Sequence, residues 1–290
     1  MILAQVVLLF SCTGVDSGSA PGLFVEECGA NLDIPLNRKP ARMALDLPRN
    51  RLHVLDAYSG ITTYQRKSYG CDWVQDSSHQ YDGFIDDLDL ASNGDLFALD
   101  GSLLLVNGRE DCSLQTGSFA VLPTGDRVVL GSVLSNQIWA RSASGCQGQG
   151  FYFGFGSPLS VDADDDGIVV VEGVDGTHPE RLASYSGSGQ LEWSRPLSQS
   201  PSMEPYLCSA QRVRSNSFEI IVLDLTCKRL LAFARNGDFV AAIALDSVGI
   251  HASRVKDISL ESPGVAEFLV DDLPLTLRLS YKAYVGAQTN

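Results

Sequence analysis

A short β-type segment ending in an acidic residue recurs along the chain, and this repeat constrains the fold more than any other feature. Successive copies end 31 to 52 residues apart, with a mean interval of 43. The copies are RLHVLD ending at Asp56, DLFALD at Asp100, DRVVLG at Gly131, IVVVEG with its acid at Glu172, FEIIVLD at Asp224 and AEFLVDD with its acid at Asp271. A regular interval of this size indicates a fold built from similar supersecondary units stacked on one another.

Each copy lies between further β-type segments, so one unit contains three or four strands. Asn, Asp, Gly and Pro occupy the turns, and Val, Ile, Leu and aromatic residues occupy the strands. Units of roughly 40–45 residues with four strands are typical of β-propeller blades. The six copies therefore predict an all-β, six-bladed β-propeller of four-stranded antiparallel blades over residues 22–290. We expect GLFVEE, residues 22–27, to complete the last blade as an N-terminal strand, which leaves no open sheet edge.

The best copy, IIVLDLTCKRLLAFARNGDFVAAI at residues 220–243, resembles the NHL-repeat family. It contains a strand, Asp224, a short turn, Arg229-Leu230, a second strand, an Asn-Gly turn and a third strand. The resemblance extends over most of the chain and is degenerate in the third, fourth and sixth copies. It implies the same propeller fold and rests on the repeat rather than on any one motif.

The first eleven residues are apolar and end at Cys12. They are too short to cross a bilayer and have the length of a signal-peptide core. The sequence LFSC resembles the lipobox of bacterial lipoproteins, although no Lys or Arg precedes the apolar run. We therefore expect a signal peptide at 1–11, lipidation at Cys12 and a flexible tether at 12–21. The expected location is the cell envelope, lipid-anchored to a membrane; the alternative is a secreted protein.

The chain has seven cysteines, and lipidation of Cys12 would leave an even number, as is typical of disulfides in an oxidising compartment. Cys208 precedes the first strand of the fifth unit, and Cys227 lies in the turn after its second strand. Antiparallel pairing brings these points to one end of the blade, which predicts a Cys208–Cys227 disulfide. The pairing of the remaining cysteines stays open: Cys28, Cys71, Cys112 and Cys146.

Acidic residues outnumber basic ones by 35 to 21, giving a net charge of −14. So acidic a surface repels phosphate backbones, which argues against a nucleic-acid partner. The acids that close the second strands are predicted to be structural, because such an Asp can accept hydrogen bonds from the next turn.

The stretch VDADDDG at residues 161–167 contains Asp162, Asp164 and Asp166 before Gly167, the opening pattern of many calcium loops. No closing ligand follows, since Val170 and Gly173 occupy the positions where such loops carry an acid. The favoured interpretation is the first hairpin turn of the fourth blade, and the alternative is a weak calcium site at these three carboxylates. No other cofactor is expected.

Three further features leave alternatives open. The acidic stretch DGFIDDLD favours a solvated loop, with side chains facing the central channel as the alternative; its acids are Asp82, Asp86, Asp87 and Asp89. The four histidines, His53, His79, His178 and His251, have no metal-ligand spacing. The aromatic residues of GQGFYFGFG are expected to pack between the third and fourth blades or to form an exposed ligand platform.

These observations favour a non-enzymatic binding or scaffold module for an envelope protein, peptide or glycan. One alternative is a metal-dependent propeller enzyme resembling the calcium-dependent lactonases or the amidoglycolate lyases, with ligands around the central channel. Another is a structural envelope component without a ligand. An enzyme predicts a polar ring at the axis, whereas a scaffold predicts exposed apolar side chains on one face.

Overall fold

The computed structural model describes residues 24–28, 40–58, 60–66, 73–81, 84–101, 103–113, 118–122, 127–132, 137–142, 158–173, 180–198, 203–270 and 276–280. The expected signal peptide, Cys12 and the tether lie outside these ranges, as do Cys71 and Cys146. Within them the chain forms β-strands and three short 3-10 helices, at Leu47–Arg49, Asp246–Val248 and Ala252–Arg254. No helix in these ranges is long and apolar enough to span a membrane.

Twenty-three strands build the described part of the chain. The first twelve are β1 (Phe24–Cys28), β2 (Pro40–Asp46), β3 (Arg51–Asp56), β4 (Gly60–Arg66), β5 (Trp73–Gln80), β6 (Ile85–Leu90), β7 (Leu96–Asp100), β8 (Leu103–Val106), β9 (Arg109–Ser113), β10 (Ser118–Val121), β11 (Arg127–Ser132) and β12 (Gln137–Ser142). The others are β13 (Pro158–Asp164), β14 (Gly167–Glu172), β15 (Arg181–Tyr185), β16 (Leu191–Pro196), β17 (Arg212–Ser215), β18 (Glu219–Asp224), β19 (Arg229–Ala234), β20 (Phe239–Ala244), β21 (Val255–Ser262), β22 (Val265–Val270) and β23 (Thr276–Ser280).

The strands form antiparallel sheets in chain order. Sheet 1 is β2–β5, sheet 2 is β6–β9, sheet 3 is β10–β12, sheet 4 is β13–β16, sheet 5 is β17–β20, and sheet 6 is β21–β23 with β1 at its edge. The first strand of each sheet contacts the first strand of the next, and β21 contacts β2. The sheets therefore follow one another around a common axis with β2, β6, β10, β13, β17 and β21 innermost, which is the arrangement of a β-propeller.

The predicted four-stranded antiparallel blade is confirmed in five sheets. Sheet 3 has three strands among the residues that the structure describes, so the prediction of six four-stranded blades is not met there. The N-terminal strand β1 pairs with β23, from Phe24 opposite Ser280 to Cys28 opposite Thr276. The predicted strand ends agree closely: β3, β7, β14 and β18 end at Asp56, Asp100, Glu172 and Asp224. Asp271 lies outside the described ranges.

The core lies between neighbouring sheets. Every residue of β14 is buried, because sheets on both sides cover this strand. One apolar cluster joins sheets 4 and 5 through residues such as Val169, Val213 and Phe233. Another joins sheets 5 and 6 through residues such as Ile221 and Phe268. Strands that are covered on both faces read as continuous apolar runs, which explains why IVVV and IIVL stand out in the sequence.

Candidate functional site

Charged side chains on the innermost strands form a cluster at the propeller axis. We call this set the axial cluster, and its members are Arg42 on β2, Asp87 and Asp89 on β6, Asp162 on β13, Arg212 and Arg214 on β17, and Asp257 on β21. Within a strand, alternate residues point to the same side, which is why Asp87 and Asp89, or Arg212 and Arg214, act together. Sheets 2 and 5 stand on opposite sides of the ring, so a contact between them spans the axis.

Arg212 makes that contact. Its Nη1 donates to Asp87 Oδ2 over 2.8 Å, and its Nη2 donates to Asp87 Oδ1, which gives a two-pronged pair across the axis. Its Nε donates to Asp257 Oδ1 over 2.9 Å. All three side chains are at least 92% buried. Burial opposes ionisation of Asp257, but the positive charges of Arg212 and Arg214 outweigh it and lower the pKa of this carboxyl.

Arg214 occupies the next level along the axis. Its Nη1 donates to Asp162 Oδ1 over 3.2 Å, and its Nε donates to the Ile258 carbonyl over 3.1 Å. Asp162 Oδ2 also accepts the Ser215 backbone N–H over 2.6 Å. Asp89 accepts two backbone N–H groups, from Leu90 and from Val121 of sheet 3. This level therefore holds two carboxylates and one guanidinium.

The excess of carboxylates over guanidinium groups at this level affects the pKa values of Asp162 and Asp89. Burial raises the pKa of Asp162 to about 7; Arg214 opposes this shift, and the nearby charge of Asp89 adds to it. Burial likewise raises the pKa of Asp89, against the attraction of Arg214. A carboxyl that titrates near neutral pH can both give and take a proton, so this level of the axis has the acid–base property that catalytic carboxyls need.

Arg42 stands nearest to solvent. Its Nε lies 3.6 Å from Asp87 Oδ1, and its side chain is 38% exposed, against 7% for Arg212. Its Nη1 donates to the carbonyl of the adjacent Ala41. Arg42 and Arg212 lie near the starts of their strands, so this end of the axis is on what we call the upper face, the side of the propeller where the innermost strands begin.

The axial acids also connect neighbouring sheets through the backbone. Asp257 Oδ2 of sheet 6 accepts the Met43 N–H of sheet 1 over 2.9 Å, and Asp89 accepts Val121 N–H over 2.6 Å. Ser160 of sheet 4 accepts the Val213 N–H of sheet 5 over 3.0 Å. In each case the acceptor belongs to the sheet that precedes the donor around the ring. These bonds pair N–H groups that the innermost strands could not otherwise satisfy at the axis.

The acidic turn VDADDDG does not gather its carboxylates on one point. Asp162 points to the axis, Asp164 accepts Arg235 Nη2 over 2.8 Å and the Asp166 N–H over 2.9 Å, and Asp166 is exposed. Gly167 has a φ of +138°, which favours glycine at the hairpin bend. Among the described residues, the group of three or more potential metal ligands with all ligand atoms within 4.8 Å is Cys208, Asp224 and Cys227 instead.

The acidic stretch DGFIDDLD requires a correction. The favoured interpretation, a solvated loop, is wrong for Asp87 and Asp89, which lie on β6 and belong to the axial cluster. Asp86 is exposed and accepts the Gly101 N–H over 2.9 Å. Asp82 lies outside the described ranges.

The described histidines do not meet one another or the axial cluster. His53 on β3 is buried, with Nδ1 2.9 Å from Thr63 Oγ1; burial lowers its pKa to about 4 although Asp46 is near. His79 lies on the outer strand β5, and His251 is exposed with Nδ1 3.8 Å from Asp246. His178 and the stretch GQGFYFGFG lie outside the described ranges.

Two strand-closing acids, Asp56 and Asp224, accept hydrogen bonds from the turn that follows their strand, as predicted. Asp56 Oδ1 accepts the N–H groups of Tyr58 and Gly60, and Asp224 accepts those of Cys208, Ser209 and Cys227. Asp100 accepts the Phe84 N–H at the start of sheet 2.

The predicted Cys208–Cys227 pairing is supported, because the two residues form a disulfide with their Cα atoms 5.7 Å apart.

Large apolar side chains are exposed at the upper face. Their positions are Tyr58 after β3, Phe84 before β6, Leu159 at the start of β13 and Met203 before β17, and they are 36% to 65% exposed. Turns between second and third strands lie at the same end as the starts of the innermost strands, which places all four on this face. Phe218 and Leu47 are exposed in turns of the opposite, lower face, and Val74 and Leu191 on outer strands.

The arginines of the axial cluster were not predicted from the sequence. A signal was present: Arg42, Arg212 and Arg214 interrupt the first strands of their units at positions where other units carry Asp. Alternate residues of a strand point to the same side, so charged residues at alternate positions of an innermost strand indicate side chains directed to the axis. Which arginine meets which carboxylate depends on contacts across the ring.

The comparisons with known proteins bear on the fold. No protein-family model matches the chain, and no curated protein matches it. A solved structure described as "Streptogramin B lyase structure" superposes with a TM-score of 0.59 and 11% sequence identity, covering 89% of this chain and 97% of that chain. At this identity the likeness shows the fold alone, a β-propeller.

Proposed function

We propose that the protein is a non-enzymatic binding module that presents the upper face of its propeller to a protein, peptide or glycan partner at the cell envelope. The observation that carries the proposal is the exposure of Tyr58, Phe84 and Met203 on that face, each more than 60% accessible. Large apolar side chains exposed together on one face are typical of interaction surfaces, since water solvates them poorly. Aromatic rings also provide contact area for peptides and sugars.

The proposal includes a closed six-bladed ring of NHL-repeat type. Contacts between successive innermost strands, and the pairing of β1 with β23, support this closure. It also includes a lipid anchor at Cys12. Eleven residues lie between Cys12 and the start of β1, so the tether would hold the propeller within about 40 Å of a membrane surface.

Site-specific photo-crosslinking in intact envelopes tests the binding face. A photoreactive residue at position 84 should capture a discrete partner, whereas the same residue at position 218, which is equally exposed on the lower face, should not. Position 191, on an outer strand, is a second control. Capture from 218 or 191 but not from 84 would place the binding surface elsewhere and overturn the proposal.

A second candidate function is a propeller enzyme of lactonase or lyase type. The observation that favours it is the pair of desolvated axial carboxyls, Asp162 with a pKa of about 7 and Asp89 with a raised pKa. The streptogramin B lyase with the similar fold is, by its name, an enzyme. A metal at these carboxyls would have to compete with Arg214 and with the backbone N–H groups that they accept.

Turnover assays separate the two candidates. Full-length protein is incubated with simple lactones and with streptogramin B, with and without Ca²⁺ or Mg²⁺. Turnover by the wild type that Asp162→Asn abolishes and Asp166→Asn leaves unchanged would establish the enzyme. Absence of turnover in every condition, with capture from position 84, would support the binding module.

Calcium at Asp162, Asp164 and Asp166 stays a prediction. Asp162 and Asp164 are buried and hydrogen-bonded to Arg214 and Arg235, whereas Asp166 is exposed and lies 4.0 Å from Arg235 Nε. The informative variant is therefore Asp166→Ala, with the exposed neighbour Asp165→Ala as its control. The wild-type melting temperature would rise with calcium concentration if a site exists. Asp166→Ala should reduce this increase, and Asp165→Ala should not. A melting temperature that does not change with calcium would show that VDADDDG is only a hairpin turn.

A further inference from the structure

The turn that closes sheet 5 on the upper face carries three potential metal ligands outside the axial cluster. Cys208, in the segment before β17, and Cys227, after β18, flank Asp224 at the end of β18, and one ligand atom from each lies within 4.8 Å of the others. We propose that reduction of the Cys208–Cys227 disulfide converts these three side chains into a binding site for a thiophilic divalent cation, with Zn²⁺ as the best match.

The donor set fits zinc better than calcium. Zn²⁺ prefers thiolate, imidazole and carboxylate ligands in a tetrahedron, with sulfur about 2.3 Å away, whereas Ca²⁺ requires six or more oxygens. Two thiolates on a tetrahedral ion stand roughly 3.8 Å apart, from that bond length. A Cα–Cα separation of 5.7 Å accommodates this spacing by side-chain rotation alone, so the backbone need not move. Three protein ligands leave the fourth position for water.

Charge and access also suit a cation. Two thiolates and Asp224 carry three negative charges, and bound Zn²⁺ reduces them to one. The remaining negative charge is balanced by Arg229, whose Nε lies 3.7 Å from Asp224 Oδ2. Cys208 is exposed, so an ion can enter from solvent. The three N–H groups that Asp224 accepts hold it between the two cysteines whatever the state of the sulfurs.

Metal and disulfide exclude each other at this turn. A dithiol reductant transfers two electrons and two protons to the disulfide: the S–S bond breaks, two thiols form, and the reductant becomes a disulfide. Zn²⁺ then displaces the two thiol protons as it binds the thiolates. The turn is covalently closed under oxidising conditions and closed by the ion under reducing conditions, so it remains ordered in both.

Metal titration of the full chain tests the site. Protein reduced with a phosphine, which adds no competing thiol, is titrated with Co²⁺ as a spectroscopic probe and then with Zn²⁺ against a chelator. The matched control is Cys208→Ser/Cys227→Ser, which keeps the other five cysteines. We expect one ion per reduced wild-type chain, a thiolate-to-cobalt absorption band, and affinity at least 100-fold higher than in the control.

Two further comparisons complete the test. Asp224→Asn should lower affinity about tenfold while retaining the thiolate band, whereas Asp246→Asn, an exposed acid nearby on the same face, should change neither. The oxidised wild type, whose fold is unchanged, should not bind, which covers the case that the double variant is unstable. Equal binding by oxidised and reduced protein, or by the double variant, would overturn the proposal. Unchanged affinity in Asp224→Asn would remove Asp224 from the site.

Discussion

At the scale of single residues, the axial cluster depends most on Arg212. This guanidinium pairs with Asp87 and Asp257 at once. Asp257 comes from the neighbouring sheet 6, whereas Asp87 comes from sheet 2 across the axis. Burying a charge is costly unless a partner compensates it, so each member of the set requires the others. The cluster therefore specifies how opposite sides of the propeller meet.

Replacing Arg212 should be strongly destabilising. In Arg212→Gln, Asp87 and Asp257 remain buried and lose the guanidinium that is hydrogen-bonded to both, while Arg42 and Arg214 stay at 3.6 Å and 4.0 Å from them, respectively. We expect a loss of about 3–5 kcal/mol in the free energy of unfolding. The control is Arg195→Gln, whose partner Asp238 is 65% exposed; there we expect a loss below about 1 kcal/mol. Urea denaturation measures both, and equal losses would show that the axial pairs contribute no more than surface pairs.

His53 should make stability depend on pH. Its folded pKa of about 4 lies below the ordinary 6.5, so the unfolded chain takes up a proton first as the solution is acidified. The stabilisation is complete above pH 6.5 and is lost as the pH falls through 4, by roughly 3 kcal/mol in all. The measurement is the difference in unfolding free energy between wild type and His53→Gln at pH 7 and at pH 4.

The difference between variants is needed because Asp162 acts with the opposite sign. Its folded pKa is raised to about 7, so its contribution is complete below pH 3.8 and disappears as the pH rises through 7. The contributions of His53 and Asp162 to the pH dependence of the free energy of unfolding therefore partly cancel in the wild type. A difference between wild type and His53→Gln that stays constant with pH would contradict the assignment of His53 as a buried neutral imidazole.

At the scale of elements, the hairpin between β13 and β14 depends on Gly167. A Cβ at this position would stand 2.3 Å from the Tyr185 carbonyl oxygen on β15, and the backbone has a φ of +138°. Both the contact and the conformation exclude other residues. The turn is thus constrained by the next strand of its own sheet as well as by the acids that precede it.

Gly167→Ala should therefore destabilise the protein by about 2–4 kcal/mol, since backbone atoms must move to relieve the contact. The matched control is Gly101→Asn. Gly101 has a φ of +56°, which Asn tolerates, and nothing lies within 4 Å of a Cβ there, so we expect a loss of about 1 kcal/mol or less. Thermal unfolding of both variants measures this, and a similar small loss in each would refute the steric argument.

The disulfide of sheet 5 is a second element-scale feature. It closes a chain segment with a sequence separation of 19 residues, for which the loss of loop entropy in the unfolded chain amounts to about 3 kcal/mol. Cys208→Ser/Cys227→Ser should lower the free energy of unfolding by this amount under oxidising conditions. Under reducing, metal-free conditions wild type and variant should be equally stable; a difference that persists there would point to lost packing instead.

At the scale of the whole molecule, sheet 6 contains a strand from the N-terminal part of the chain. β1 covers the outer edge of β23 and pairs with five of its residues. Without it, β23 would be an unpaired edge that can bind other chains. This pairing joins Phe24 to Ser280 and Cys28 to Thr276, so it is a long-range contact that local sequence does not enforce.

A chain that begins at residue 29 should unfold at a lower temperature than one that begins at residue 22. We expect a decrease on the order of 10 °C and a tendency to aggregate, because one sheet loses a strand and exposes its edge. The chain from residue 22 is the matched control, since it lacks the expected signal and tether but keeps β1. Equal melting temperatures would show that β1 does not close the ring.

Local sequence patterns are sufficient to predict the repeating unit of this protein. Alternating apolar residues, turn residues and a strand-closing acid at a mean interval of 43 residues predicted antiparallel blades, the ends of β3, β7, β14 and β18, and the roles of Asp56 and Asp224, because these features depend on contacts within about forty residues. The Cys208–Cys227 pairing belongs to the same class, since hairpin geometry alone brings the two cysteines together.

The roles of the charged side chains depend on contacts that form only when the sheets assemble around the axis. Asp87 and Asp89 were predicted to lie in a solvated loop, and Asp162 in a hairpin turn. Asp87 instead pairs with Arg212, 125 residues away, and Asp162 pairs with Arg214, 52 residues away. The placement of Tyr58, Phe84 and Met203 on one face is of the same kind. A propeller turns each unit toward a common axis, so residues far apart in the chain become neighbours there. No local pattern encodes which of them will meet.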